Sequence, residues 1–228
     1  VDEDYPDNKL SGAVFEVYSD TNGNGKLDND DTLLGEMKEL DGGVYQMSEL
    51  RYGKYLVKET KAPTGFVLDK NVYSVSVEEN GKTYTVENKA GVGFINAAQK
   101  GSLKIVKTSS DGKVEGFSFR VTGVDYDQTF KTDKNGEIVI EGLRIGDYTV
   151  SEVSDKASAG YILPADKQAT VKADATAIVQ MHNEFRDTPK TGDDFNLGLW
   201  VSLAALSVVG AGVLGFVGYK NRKKKKED

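Results

Sequence analysis

Three short runs in the second half of the sequence alternate apolar and polar residues, and each puts one reactive side chain in phase with its apolar set. Lys107 shares a face with Leu103 and Ile105, Glu152 with Tyr148 and Val150, and Asn183 with Val179 and Met181. If the apolar residues form a core, an amine, a carboxyl and an amide are carried inward with them. An isolated buried charge costs several kcal/mol, so these groups must meet as a hydrogen-bonded cluster or be chemically modified. The first half repeats part of the pattern. Glu59 runs in phase with Tyr55 and Val57, and Asn96 with Val92 and Phe94.

A second constellation suits a metal ion rather than covalent chemistry. Asp20, Asn22 and Asn24 occupy alternate positions and Gly25 follows, then Lys26, Asp28 and Asp31. The spacing resembles an EF-hand calcium loop: side-chain oxygens at positions one, three and five, glycine at six, the Lys26 carbonyl at seven, Asp28 at nine and Asp31 at twelve. Two features depart from it. Asp31 is shorter than the usual glutamate, and the flanks read as strands (14–18 and 33–37) instead of helices. The alternative is a solvated acidic loop between strands. Calcium held here is expected to be structural and of the weaker, extracellular affinity.

The third constellation is C-terminal. Thr188-Pro189-Lys190-Thr191-Gly192 precedes an uncharged apolar run over 195–219 and six basic residues within 220–226. As a helix, the run is long enough to cross a bilayer, and the basic cluster places the tail on the cytoplasmic side. Trp200 and Tyr219 fit interfacial anchors. Pro189, Thr191 and Gly192 resemble the Leu-Pro-x-Thr-Gly sorting signal of Gram-positive surface proteins, with Thr188 where leucine is usual. The resemblance implies that a sortase cuts between Thr191 and Gly192 and joins the Thr191 carbonyl to an amine of a cell-wall peptidoglycan precursor.

The elements that must position these groups repeat. Residues 9–17 recur at 113–121 and residues 50–59 at 143–152, and each copy ends on an apolar run closed by asparagine, Asn96 or Asn183. A period near ninety residues means tandem domains. Short runs rich in Val, Ile, Tyr, Phe and Thr are separated by turn clusters such as Asn80-Gly81 and Lys134-Asn135-Gly136, and no helical stripe precedes Phe195. The expected fold is all-β: two tandem Ig-like β-sandwiches over 1–97 and 98–186, joined by a short linker at 97–100. A sorting segment (187–194), a transmembrane helix (195–219) and a basic cytoplasmic tail (220–228) follow.

Together these features resemble the CnaB-type (SpaA-like) domains of Gram-positive pili and adhesins, across both modules. The resemblance rests on the first-strand lysine, the Tyr-x-x-x-Glu box (Tyr55/Glu59 and Tyr148/Glu152) and the last-strand asparagine. It implies an autocatalytic intramolecular isopeptide bond, with Lys107 as nucleophile, Asn183 as electrophile and Glu152 as proton shuttle. Glu59 and Asn96 hold the same roles in module one. The matching lysine there is expected immediately before Val1, in a longer chain of which this sequence is a fragment. Lys9 aligns with the turn residue Lys113 and is no substitute. After Glu152, residues 153–161 are two longer than the corresponding box in module one and lack its Ala-Pro.

Composition agrees with an exported structural protein. The formal charge is −7 although the last nine residues are net basic, which argues against nucleic acid as a partner. There is no cysteine, and extracellular domains often use disulfides, so another cross-link or a metal is worth looking for. With one histidine, and no catalytic serine or phosphate-loop motif, multiple-turnover catalysis is not expected. The expected role is a wall-anchored stalk that holds an extracellular ligand-binding part beyond Val1. Alternatives are a sortase-polymerised pilus subunit and a permanent single-pass membrane protein.

Overall fold

The computed structural model describes residues 1–186. Fourteen strands carry the chain: β1 (Val14–Ser19), β2 (Thr32–Glu36), β3 (Lys38–Leu40), β4 (Val44–Gln46), β5 (Gly53–Lys61) and β6 (Val72–Val77) in module one. In module two they are β7 (Lys100–Ser109), β8 (Ser118–Gly123), β9 (Tyr126–Lys131), β10 (Glu137–Arg144), β11 (Gly146–Val153), β12 (Tyr161–Ile162), β13 (Lys167–Val171) and β14 (Thr176–Phe185). No helix among the described residues is long and apolar enough to cross a membrane. The expected sorting motif at 188–192, the span at 195–219 and the tail at 220–228 all lie outside the described residues.

Module two is a complete sandwich of two four-stranded sheets, β10-β7-β14-β12 and β13-β11-β8-β9. Its first and last strands, β7 and β14, run parallel at the centre of one sheet, with Met181 opposite Lys107 and Asn183 opposite Ser109. Leu103, Ile105, Val179 and Met181 project from that sheet onto Phe119, Val121, Tyr148 and Val150 of the other, and all eight are buried. The alternation read from the sequence is the pleat of these strands.

Module one is built on the same plan but is open. Its large sheet is β2-β1-β5-β6, and facing it stands only the β3-β4 hairpin. Residues 92–96, expected as a strand, form none. They make two isolated bridges, Asp2 to Asn96 (parallel) and Lys89 to Gly93 (antiparallel), because no strand among the described residues of module one holds the place that β7 takes in module two. A cavity of about 990 Å³ results, lined by Ala13, Phe15, Val17, Val57, Val75 and Phe94 among others.

The segment at 97–99 is packed rather than free. Ala98 is buried and bridges Phe66, Gln99 donates its N–H to the Gly65 carbonyl, and Ile145 donates its own to Gln99. Arg144, at the end of β10, grips module one. Its guanidinium takes Asp2 with two hydrogen bonds (2.7 and 2.8 Å) and Asp4 with a third (2.9 Å), and it stacks 4.9 Å from the centre of the Tyr5 ring. Asp2 is 2% exposed, so the pair is effectively buried. The equivalent residue in module one, Arg51, is exposed, although the tip is shaped alike: Tyr55 Oη donates to the Arg51 carbonyl as Tyr148 Oη does to Arg144.

Removing one member of a buried ion pair leaves the other charge stranded. Arg144→Ala is expected to destabilise module one and its joint by about 3 kcal/mol, read by thermal denaturation. The double change Arg144→Met with Asp2→Asn should recover part of that loss. The Arg144 hydrogen bonds hold the Asp2 carboxyl below its ordinary range. A depressed carboxylate stabilises the fold above its unfolded pKa of about 3.9, and the contribution disappears as pH falls through the folded value. The joint should therefore be insensitive to pH near neutrality and loosen only in acid.

Candidate functional site

In module two the three groups picked out by periodicity arrive in one place from three strands. Lys107 comes from β7 and is 1% exposed, Asn183 from β14 and 0% exposed, and Glu152 from β11 on the opposite sheet, where it is half-buried. Lys107 and Asn183 are diagonal neighbours on adjacent parallel strands. Strand spacing near 4.8 Å and a rise near 3.3 Å per residue put their backbones roughly 8 Å apart, within reach of a lysine side chain. Gly136 fixes this end of β7. Its carbonyl accepts the Lys107 N–H at 2.8 Å, and a Cβ on it would stand 2.7 Å from the Lys107 carbonyl oxygen. With φ at +77°, only glycine suits that turn.

Glu152 and Asn183 touch: Asn183 Nδ2 donates to Glu152 Oε1 at 2.7 Å. Their other oxygens, Glu152 Oε2 and Asn183 Oδ1, are buried without a partner. Lys107 lies beside the pair with a hydrogen bond to neither. Its Nζ donates to the Thr108 carbonyl and stands 4.3 Å from the centre of the Phe117 ring and 6.0 Å from that of Tyr161. Burial pushes the Lys107 amine down from its ordinary pKa, against a smaller upward pull from Glu152 and Asp111. Burial pushes the Glu152 carboxyl up, against the Asn183 hydrogen bond and the Lys107 charge. Both shifts favour the neutral forms.

Module one presents the same carboxyl and amide without a lysine; the Val1 α-amino group donates to the Phe94 carbonyl at 2.6 Å. Asn96 Nδ2 donates to Glu59 Oε1 and Oε2 at 2.9 and 3.0 Å and to the Val67 carbonyl at 3.1 Å, and Asp69 N–H donates to Glu59 Oε2 at 2.7 Å. Glu59 is 0% exposed, and burial raises its pKa despite these bonds. Asp2 opposite Asn96 corresponds to Ser109 opposite Asn183, so the register of Lys107 falls one residue before Val1. Lys9 is exposed.

The aromatic walls around Lys107 went unremarked in the sequence. Phe117 continues the inward phase of Phe119 and Val121, which could have revealed it. Tyr161 follows the lengthened loop after Glu152, where no pattern reaches. Its hydroxyl donates to Asp111 Oδ2 at 2.6 Å and its ring meets Phe117 edge-on at 5.2 Å, closing the amine off from solvent. His182, next to Asn183 on β14, is on the outward face.

In the loop at 20–31, Asn22 and Asn24 both turn their amides toward Asp28, and Asp31 closes back on the Thr21 N–H. Among the described residues, no three His, Cys, Asp or Glu side chains converge as a ready metal cluster.

The SpaA family, described as a prealbumin-like fold domain, matches the chain twice, over residues 2–90 and 101–185. No curated protein matches in sequence. Among solved structures, the Bacillus anthracis TIE protein is similar at 22% identity and a TM-score of 0.59, covering 82% of this chain and 32% of its own. This chain thus spans about a third of that protein's length. A C-terminal fragment of the pilus adhesin SpaC from Lactobacillus rhamnosus GG is similar at 14% identity and a TM-score of 0.50, covering 80% and 93%. At these identities the likeness establishes the fold alone.

Proposed function

We infer that this chain, which belongs to the SpaA family of prealbumin-like fold domains, is the surface-proximal stalk of a Gram-positive surface protein, locked by an intramolecular isopeptide bond. The observation that carries this reading is the convergence of the buried Lys107 and Asn183 with the half-buried Glu152 between the sheets of module two. The role is structural, and the chemistry occurs once per molecule.

The geometry supports the following reaction. A neutral Lys107 amine attacks Asn183 Cγ and the new C–N bond forms. Glu152 takes a proton from the attacking nitrogen and delivers one to Nδ2, which leaves as ammonia. A protonated Glu152 can polarise the amide once the Asn183 side chain turns its Oδ1 toward the carboxyl, and both atoms needed for that contact are buried and unpartnered. The amide is a sluggish electrophile. Holding it against the amine in a rigid core supplies the effective concentration that free solution lacks. Phe117 and Tyr161 wall the amine, and it is the burial of Lys107 that favours its neutral form.

The rest of the reading comes from the sequence. Residues 195–219 hold the chain in the membrane during export, a sortase cleaves after Thr191, and the Thr191 carbonyl is joined to a peptidoglycan precursor. Each proposed module, 1–97 and 98–186, contains one of the two family matches, 2–90 and 101–185. In the test, the chain is expressed in a Gram-positive host and recovered from the wall fraction. It should end at Thr191, and a proteolytic map should give one branched peptide joining Lys107 to Asn183 and lighter than its parts by one ammonia. A mature protein that retains 192–228 would instead mean a permanent membrane protein. A ladder of covalent multimers on a denaturing gel would mean a polymerised pilin.

A further inference from the structure

We propose that residues 20–31, the connection from β1 to β2, form a calcium site anchored on Asp20 Oδ1. The cross-link in module two plays no part in this inference, and either can fail without the other.

Asp20 is an acidic loop residue that the fold buries, at 7% exposure. Its N–H is fixed by the Lys54 carbonyl of β5 at 3.0 Å, and its Oδ2 accepts the Gly25 N–H from across the loop at 3.1 Å. Its Oδ1 is buried and has no partner at all. A carboxylate oxygen out of water and unpaired is costly, and a hard cation is the partner its chemistry suits.

The surrounding oxygens are arranged for the same guest. Asp31 returns to the start of the loop: its Oδ1 accepts from Thr21 N–H at 3.1 Å and its Oδ2 from Asp28 N–H at 2.9 Å, bringing the twelfth position beside the first. Asn22 and Asn24 direct their Nδ2 groups at Asp28 Oδ2, at 3.1 and 2.8 Å. Without a cation, amide hydrogens supply the positive charge facing Asp28. A half turn of each amide replaces those hydrogens with carbonyl oxygens; it gives up the bonds that Asn22 Oδ1 accepts from Asn24 N–H (3.0 Å) and Asn24 Oδ1 from Lys26 N–H (2.7 Å), a loss the bound cation would have to outweigh. Gly25, at φ +73°, makes the sharp bend at the sixth position.

The donors are three carboxylates, two side-chain amides and the Lys26 carbonyl. That mixed set explains why no acidic cluster stands out, and its irregular geometry suits calcium over magnesium, which demands a near-ideal octahedron. Lys54 Nζ also donates to the Gly23 carbonyl at 3.3 Å. Filling the site would therefore brace the long loop against β5.

The test is calorimetric titration of calcium into the full chain after removal of divalent ions, with thermal melting and hydrogen exchange in parallel. One calcium per chain is expected, with Kd near 10⁻⁴–10⁻³ M, a raised melting temperature and slowed exchange over 20–31. Asp20→Asn should weaken binding at least about tenfold, since it removes the anchoring charge. It should melt no lower than wild type without calcium, because it also removes the stranded charge. That separates a lost ligand from a lost fold. No binding up to about 10 mM calcium, well above the extracellular range, would overturn the proposal. So would undiminished binding by Asp20→Asn, or an equal response to magnesium.

Discussion

Glu152→Ala is expected to yield a folded chain one ammonia heavier than wild type, after allowance for the substitution, and far less resistant to heat. Without the carboxyl, nothing carries the proton from the Lys107 amine to the departing Asn183 nitrogen, so the amide survives. The lost bond closes a loop of about 75 residues between β7 and β14. The chain-entropy relation for cross-links puts the cost near 4–5 kcal/mol, and at about 4–8 °C per kcal/mol for a domain of this size the melting temperature falls by ~20 °C or more. The pH dependence carries its own signature. In the variant, Lys107 stays a free amine that burial holds below its ordinary pKa. The unfolded chain then binds more protons than the native one between the two pKa values, so stability rises with pH up to about 10.4. In wild type the nitrogen is an amide and that slope is absent. Intact mass together with melting curves at several pH values checks both. An unmodified wild-type mass in a well-folded sample would leave a buried Lys–Glu–Asn cluster and remove the covalent mechanism.

This much was legible because strand periodicity is a local property. Leu103, Ile105 and Lys107 declare their common face within a few residues, and so do Val179, Met181 and Asn183. What periodicity cannot supply is which strands adjoin. The parallel pairing of β7 with β14 joins residues about 75 apart, and Glu152 reaches Asn183 from the other sheet. The cost of burying charge required the three groups to meet; only the family resemblance said that Lys107 pairs with Asn183. The Arg144–Asp2 clamp was illegible for a related reason: its partners are 142 residues apart and neither sits in a pattern. The strand expected at 92–96 failed instructively. Its residues alternate correctly, but a strand needs a neighbour to bond, and the described residues offer Asn96 only the single bridge to Asp2.

That failure leads to the other large effect. A chain extended ahead of Val1 by a copy of residues 101–107 (Gly-Ser-Leu-Lys-Ile-Val-Lys) is expected to close module one and cross-link it. The register set by Asp2 opposite Asn96 puts the last lysine of the copy where Lys107 stands relative to Asn183. The copied Leu and Ile then point into the cavity between β1, β5 and Phe94. Each buried aliphatic side chain contributes roughly 1.5–3 kcal/mol, and residues 92–96 gain the strand partner they lack. Glu59, buried and with its pKa raised, already holds the Asn96 amide. A second ammonia should therefore be lost, adding about 4–5 kcal/mol for a loop of nearly a hundred residues. Ending the copy in methionine instead of lysine should keep the packing gain and lose the covalent one, and Glu59→Ala in the extended chain should likewise block the mass loss. If the lysine-bearing chain loses no second ammonia and melts with the unextended one, then module one is not an incomplete version of module two. Its cavity would then have to be explained as a property of the domain in its own right.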